Sequence, residues 1–212
     1  MTNFIPIFPL GVVVYPGEGL NLHIFEPRYK QLINECFAAQ KPFGIPAVID
    51  DRLYDMGTLV QVKEICKLYE DGQMDIRTEG LKVFRMLEMI SELPDKLYSG
   101  AIVNYPENQL RGNSHLMKAI IASVRELHRL INVNKDFLKP DEELWSYDVA
   151  HHAGLSLMEE YELLELLYEL QRQEYLKRHL TRVLPVMAEM ETLKEKIKLN
   201  GHFRNFEGLG GR

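Results

Sequence analysis

Several familiar kinds of chemistry have no raw material in this chain. Its 212 residues include only two cysteines, Cys36 and Cys66, which form no CxxC pair and have no zinc spacing with histidine. The expectation is two reduced core thiols in an intracellular protein. No GxxxxGK[ST] string exists to cradle phosphates, so nucleotide hydrolysis is not expected, and G-x-S-x-G and HExxH are absent too. No apolar run approaches the roughly 18 residues that a membrane span needs. The N-terminus lacks a basic segment followed by an apolar one, so a signal peptide is not expected and the expected location is cytoplasmic. Positive charge is not in excess. Twenty-five Lys and Arg face 31 Asp and Glu, for a net charge of −6, which argues against binding nucleic acid by phosphate neutralisation.

What the chain does have is 46% hydrophobic residues, ample for a sizeable core. The most distinctive stretch runs from Ile5-Pro6-Ile7-Phe8-Pro9-Leu10 through Val12-Val13-Val14-Tyr15-Pro16-Gly17 to Leu22-His23-Ile24-Phe25-Glu26-Pro27-Arg28-Tyr29. Its short β-branched and aromatic runs predict buried strands, and Pro16-Gly17 predicts a turn. Pro27 suits a helix first turn, where its missing N–H costs nothing. Tyr29, Leu32, Ile33, Cys36 and Phe37 then fall at helical spacing up to Ala39.

Further strands are expected over 43–49, 57–65, 74–78, 81–90 and 98–105, with a loop at Asp50–Asp55, a hairpin at Asp71-Gly72 and a bend at Gly80. This density of strands with one helix predicts a barrel or sandwich up to about residue 110. Beyond it the periodicity becomes helical. Leu116, Ile120, Val124, Leu127 and Ile131 mark one helix, and Asn132 to Pro140 reads as a linker. A short helix should end at Gly154. Ser156 to Glu159 is a capping box that opens a helix through Leu170. A last long helix should kink at Pro185 and stop at Asn200-Gly201. The expected class is α+β: a β-rich subdomain over 1–110, a helical bundle over 111–203, and a disordered tail over 204–212.

Candidate reactive groups are few. His151-His152 is the only adjacent histidine pair, and neighbours on a helix diverge too far to share one metal ion. His23 lies in an apolar run and is expected to hydrogen-bond its surroundings. Glu26 and Arg28 read as a structural pair at a helix start. Asp50, Asp51 and Asp55 lack the glycine and closing glutamate of a calcium loop. No catalytic, cofactor-binding or metal-ligating residue is therefore assigned, no cofactor is expected, and the peptide-binding residues are left open. Residues 141–170 carry nine acids and no Lys or Arg, whereas 172–204 carry eight Lys and Arg against four acids. Helices packing through complementary faces are the expected cause. Lys194, Lys196 and Lys198 are too few for a nucleic-acid site.

The opening stretch also resembles the signature of the Lon N-terminal domain family. Met56-Gly57-Thr58-Leu59-Val60 is similar to that family's "GT-apolar" strand, and Thr78-Glu79-Gly80-Leu81-Lys82-Val83-Phe84 resembles another of its strands. The helical segments from Ser146 to Glu165 and on through Leu180 resemble its helical part. The resemblance implies a stand-alone member without the ATPase and protease modules. It implies a PUA-like β pseudo-barrel with one helix, followed by an α-helical bundle with a long C-terminal helix. The function it implies is a non-enzymatic module that binds unfolded or apolar polypeptide between barrel and bundle, as an adaptor in proteolysis with a separate ATPase or protease as partner. Two other readings stay open: an RNA-binding PUA-like protein, and an enzyme with a small-molecule pocket converging on His23, Glu26 or Arg28.

Overall fold

The computed structural model describes residues 2–204, with side chains up to residue 197. The barrel half is one six-stranded antiparallel sheet. It holds β1 (Thr2–Pro6), β2 (Gly19–Ile24), β3 (Phe43–Ile49), β4 (Arg52–Leu68), β5 (Met74–Ile90) and β6 (Gly100–Asn104), with helix α1 (Pro27–Ala38) between β2 and β3. The order is β1-β6-β5-β4-β3. β2 pairs with the first half of β5, from Gly19 opposite Glu79 to Ile24 opposite Met74. The long hairpin β4–β5 is the spine. Its turn carries Gly72 at φ +77, where the Asp-Gly signal placed it.

The sheet closes on itself after β1. Ile7 and Leu10 form parallel bridges to Gly44 and Ala47 of β3. Phe8 N–H donates to Gly44 O at 2.8 Å and Val48 N–H to Leu10 O at 2.8 Å. Pro6, the last residue of β1, leads into this closing segment and Pro9 sits inside it, where a missing donor is tolerated at a sheet edge. α1 lays Tyr29, Leu32, Ile33 and Cys36 into a core shared with Phe8, Ile24, Phe43, Val60 and Ile76.

The helical half holds α2 (Ser114–Leu130), α3 (Ser146–Ala150), α4 (Leu157–Glu165) and α5 (Glu169–Arg204). Asn113 caps α2 by accepting from the N–H groups of His115 and Leu116. Ser156 and Glu159 form the reciprocal box at the start of α4. The largest core cluster ignores the β-to-α change at residues 105–113. Val13, Tyr15, Ile49, Met56 and Val83 of the barrel pack with Ile120, Val124, Val149, Leu163, Leu164 and Leu180 of the helices.

Several details depart from the sequence expectations. Val13 to Tyr15 is buried but forms no ladder, and Val12 before it is exposed. Asp50-Asp51 is a two-residue turn with both φ values positive, at 49° and 58°, so β4 begins at Arg52 and most of the expected loop is strand. The helix opened by Ser156 stops at Glu165, not Leu170. Leu166 breaks it with an extended ψ, and Tyr168 bridges to Gln109 before α5 starts. α5 continues past Pro185 and through Asn200-Gly201 to Arg204, without the stop expected there. Cys66 is exposed on β4 and only Cys36 is a core thiol, its pKa pushed up to about 11 by burial. Of the expected tail over 204–212, Arg204 still belongs to α5 and the rest lies outside the described residues.

Candidate functional site

A cleft of about 560 Å³ opens where barrel and helices meet. Three segments line it. The stretch from Val12 to Leu20 enters β2 from the barrel, residues 135–139 come from the loop after α2, and α3, the turn after it and α4 supply Tyr147, Asp148, His151, His152, Leu157 and Glu160. The apolar contribution is large: Val12 and Leu138 are exposed, with Leu138 wholly so.

The wall behind the cleft is a stack of planar groups. The Arg172 guanidinium lies 4.1 Å over the Tyr147 ring. Tyr147 stacks on Tyr15 at 4.9 Å, and Tyr15 meets His151 at 4.8 Å. Arg172 is fully buried and pairs with the equally buried Glu169 at 2.9 Å. Ser146, Asn108, Gln173 and the Leu166 and Gln109 carbonyls take up the remaining hydrogen bonds of that pair. A buried ion pair is tolerable only with such complete satisfaction. It fixes α3 and the 105–112 connection to the start of α5, and so fixes the cleft wall.

His151 closes the seam between the two halves. Its Nδ1 is 2.7 Å from Glu160 Oε1 on α4, and its Nε2 is 3.1 Å from Glu18 Oε2 before β2. Burial alone would lower its pKa, but the hydrogen bonds to Glu160 and Glu18 outweigh that and raise it to about 9. The imidazolium therefore holds two carboxylates on opposite halves at neutral pH. His152 behaves oppositely. Burial, with Lys135 and His128 nearby, pushes it down to about 4, and it packs edge-on against Phe137 at 5.1 Å. The adjacent histidines thus serve different tasks and point to different neighbours, in keeping with the divergence their spacing requires.

The other singled-out residues lie elsewhere. His23 bonds Asp75 at 2.7 Å and Gln73 at 2.9 Å on the exposed face of β2 and β5. Glu26 and Arg28 form an exposed pair at 2.7 Å. None of the three lines the cleft. Asp55 accepts from Tyr161 Oη at 2.9 Å and sits 3.6 Å from Arg85. Lys194 reaches Glu191 on the exposed part of α5. Among the described residues, no group of three or more His, Cys, Asp or Glu is arranged to hold a metal ion. No helix among them is long and apolar enough to cross a membrane. The charge asymmetry of the helical half resolves in part into pairs across α4 and α5, with Arg182 bonding Glu159 at 2.7 Å and Tyr175 bonding Glu162 at 2.7 Å. Other acids pair outside α5: Asp141 with Arg125, and Asp148 with Lys139.

The sequence reading missed the contribution of residues 135–139, taken only as a linker. Phe137-Leu138 was the available signal, since two large apolar residues between lysines are unusual in a purely solvated connection.

Comparisons with known proteins bear on the fold and the family. The Lon N-terminal domain protein from Xanthomonas campestris is 23% identical, with a TM-score of 0.60 over 83% of this chain and 98% of that one. The N-terminal domain of Mycobacterium avium complex Lon protease is 12% identical, with a TM-score of 0.60 over 84% of this chain and 98% of that one. These two share the fold. The Lon protease of Bacillus thuringiensis (strain Al Hakam) is 30% identical over 99 residues, which is 42% of this chain and only 12% of that protein. Residues 5–185 match the ATP-dependent protease La (LON) substrate-binding domain, and the chain accordingly belongs to that family.

Proposed function

We propose that this protein is a recognition module that captures unfolded or apolar polypeptide in the cleft between barrel and helices, without acting on it chemically, and presents it to a separate ATPase or protease. The observation that carries this reading is the cleft itself. It is open, its rim holds exposed Val12 and Leu138, and most of its charged groups, Lys139, Asp148, His151, Glu160 and Glu18, are already paired with one another, while Lys135 and Asp136 of the loop stay outside these pairs. Mostly satisfied charges beside exposed apolar surface suit a chain of varied sequence better than a small polar substrate. The family's name for the domain, a substrate-binding domain of a protease, points to polypeptide as the ligand class.

Fluorescence anisotropy with a labelled decapeptide alternating leucine and serine tests the reading. Binding to the wild-type protein is expected, and Leu138→Glu should weaken it by about tenfold, since it puts a charge where an apolar contact forms. Because Leu138 is fully solvated, the variant should keep the wild-type melting temperature. No binding, or equal binding by the variant, counts against the cleft.

A further inference from the structure

β2 enters the cleft lining with its first two residues, Gly19 and Leu20, and among the described residues it pairs with a strand on only one of its edges. The phase of its hydrogen bonds is fixed at its start. Gly80 N–H donates to Glu18 O at 2.8 Å, and Thr78 Oγ1 donates to Leu20 O at 2.9 Å. Antiparallel pairs alternate, so the backbone groups of Leu20, Leu22 and Ile24 face β5, and those of Gly19, Asn21 and His23 face away. The latter three residues are exposed. Among the described residues no strand lies opposite that side of β2. Several common edge protections are missing: Gly19-Leu20-Asn21-Leu22-His23-Ile24 contains no lysine and no proline, and its pairing with β5 has no bulge. Gly19 and Leu20 belong at once to the edge and to the cleft lining.

We propose that an extended polypeptide segment binds by adding itself as a further strand to the free edge of β2. This rests on the cleft being a polypeptide site and specifies how the chain lies in it. Backbone hydrogen bonds to Gly19, Asn21 and His23 span about 16 Å, at about 3.3 Å per residue. They are indifferent to the ligand's side chains, as capture of varied sequences requires. Alternate side chains of the added strand fall on the Leu20 side, toward Val12 and the cleft. The other side chains fall beside Asn21 and His23, in solvent. The ligand class is therefore an uncharged, extended segment of five or six residues with apolar side chains at every second position.

Two variants of the same alternating decapeptide test this on the intact protein. One carries N-methyl groups on its leucines, the other on its serines. A strand uses the N–H groups of alternate residues, so one methylated series should bind about tenfold or more weakly, while the other stays within about twofold of the parent. Asn21→Pro gives the complementary result from the protein side. It removes an outward N–H without touching the β5 ladder, a position where strands accept proline. It should lose about tenfold in affinity at an unchanged melting temperature. If the parent peptide binds and Leu138→Glu weakens it, but both methylated series and Asn21→Pro match their parents, the edge is not used while the cleft reading stands. If the parent peptide does not bind at all, the recognition reading itself fails and strand addition falls with it.

Discussion

At the scale of single residues, two charged clusters join segments that are far apart in the chain. His151 gains two carboxylate partners on folding, which raises its pKa from about 6.5 to about 9. The raised folded-state value means that its stabilisation is fully present below about pH 6.5 and is lost as the pH rises through about 9. His151→Gln should therefore destabilise the protein more at pH 6 than at pH 9.5, read from urea midpoints at both values. An equal loss at both would show that the imidazolium bridge does not form. The Glu169–Arg172 pair has no solvent to fall back on. Arg172→Met leaves a buried carboxylate unpaired and should cost about 3–5 kcal/mol in urea unfolding. Neither cluster was readable from sequence. The i,i+3 spacing of Glu169 and Arg172 looks like any surface pair, and the helix break at Leu166 that buries it came from tertiary pairing of Tyr168 with Gln109. Likewise nothing local links Glu18 to His151, 133 residues apart.

At the scale of elements, local chemistry was the better guide. Pro27 begins α1, Asp71-Gly72 turns the β4–β5 hairpin, and Ser156 starts α4, each because the residue offers the backbone what that position needs. Gly80 shows the same logic: a Cβ there would collide with the Tyr15 carbonyl oxygen, so only glycine lets the Tyr15 segment cross β5. Ser156→Ala removes the hydroxyl that accepts from Glu159 N–H and should cost about 1 kcal/mol. Thermal unfolding would show it as a small drop in melting temperature. Because α4 also carries Glu160, the same variant should slightly loosen the grip on His151. Element ends were less legible. Strand β4 starts early because two aspartates accept positive φ in a tight turn, and α5 runs through Asn200-Gly201 although that pair reads as a stop.

At the scale of the whole molecule, the change from strand to helix periodicity near residue 110 falls between β6 and α2. What periodicity could not reveal is that the largest core crosses that change, since Tyr15, Met56 and Val83 contribute to the helical core. The cleft is a product of that joint packing. It takes lining residues from stretches about 120 residues apart in sequence, which is why no single motif announced it. Its family is legible in the opening stretch because those residues shape the scaffold: Pro6 and Pro9 at the closing segment, Tyr15 in the stack, Pro27 at the helix start.

The central claim is that polypeptide is held in this cleft. Amide hydrogen exchange of the protein with and without the alternating decapeptide measures it most directly. The account predicts slowed exchange at Gly19, Asn21 and His23 and in residues 135–139, with α1 and the exposed part of α5 up to residue 197 unchanged. Protection confined to those helices, with residues 12–24 and 135–139 exchanging as before, would contradict it.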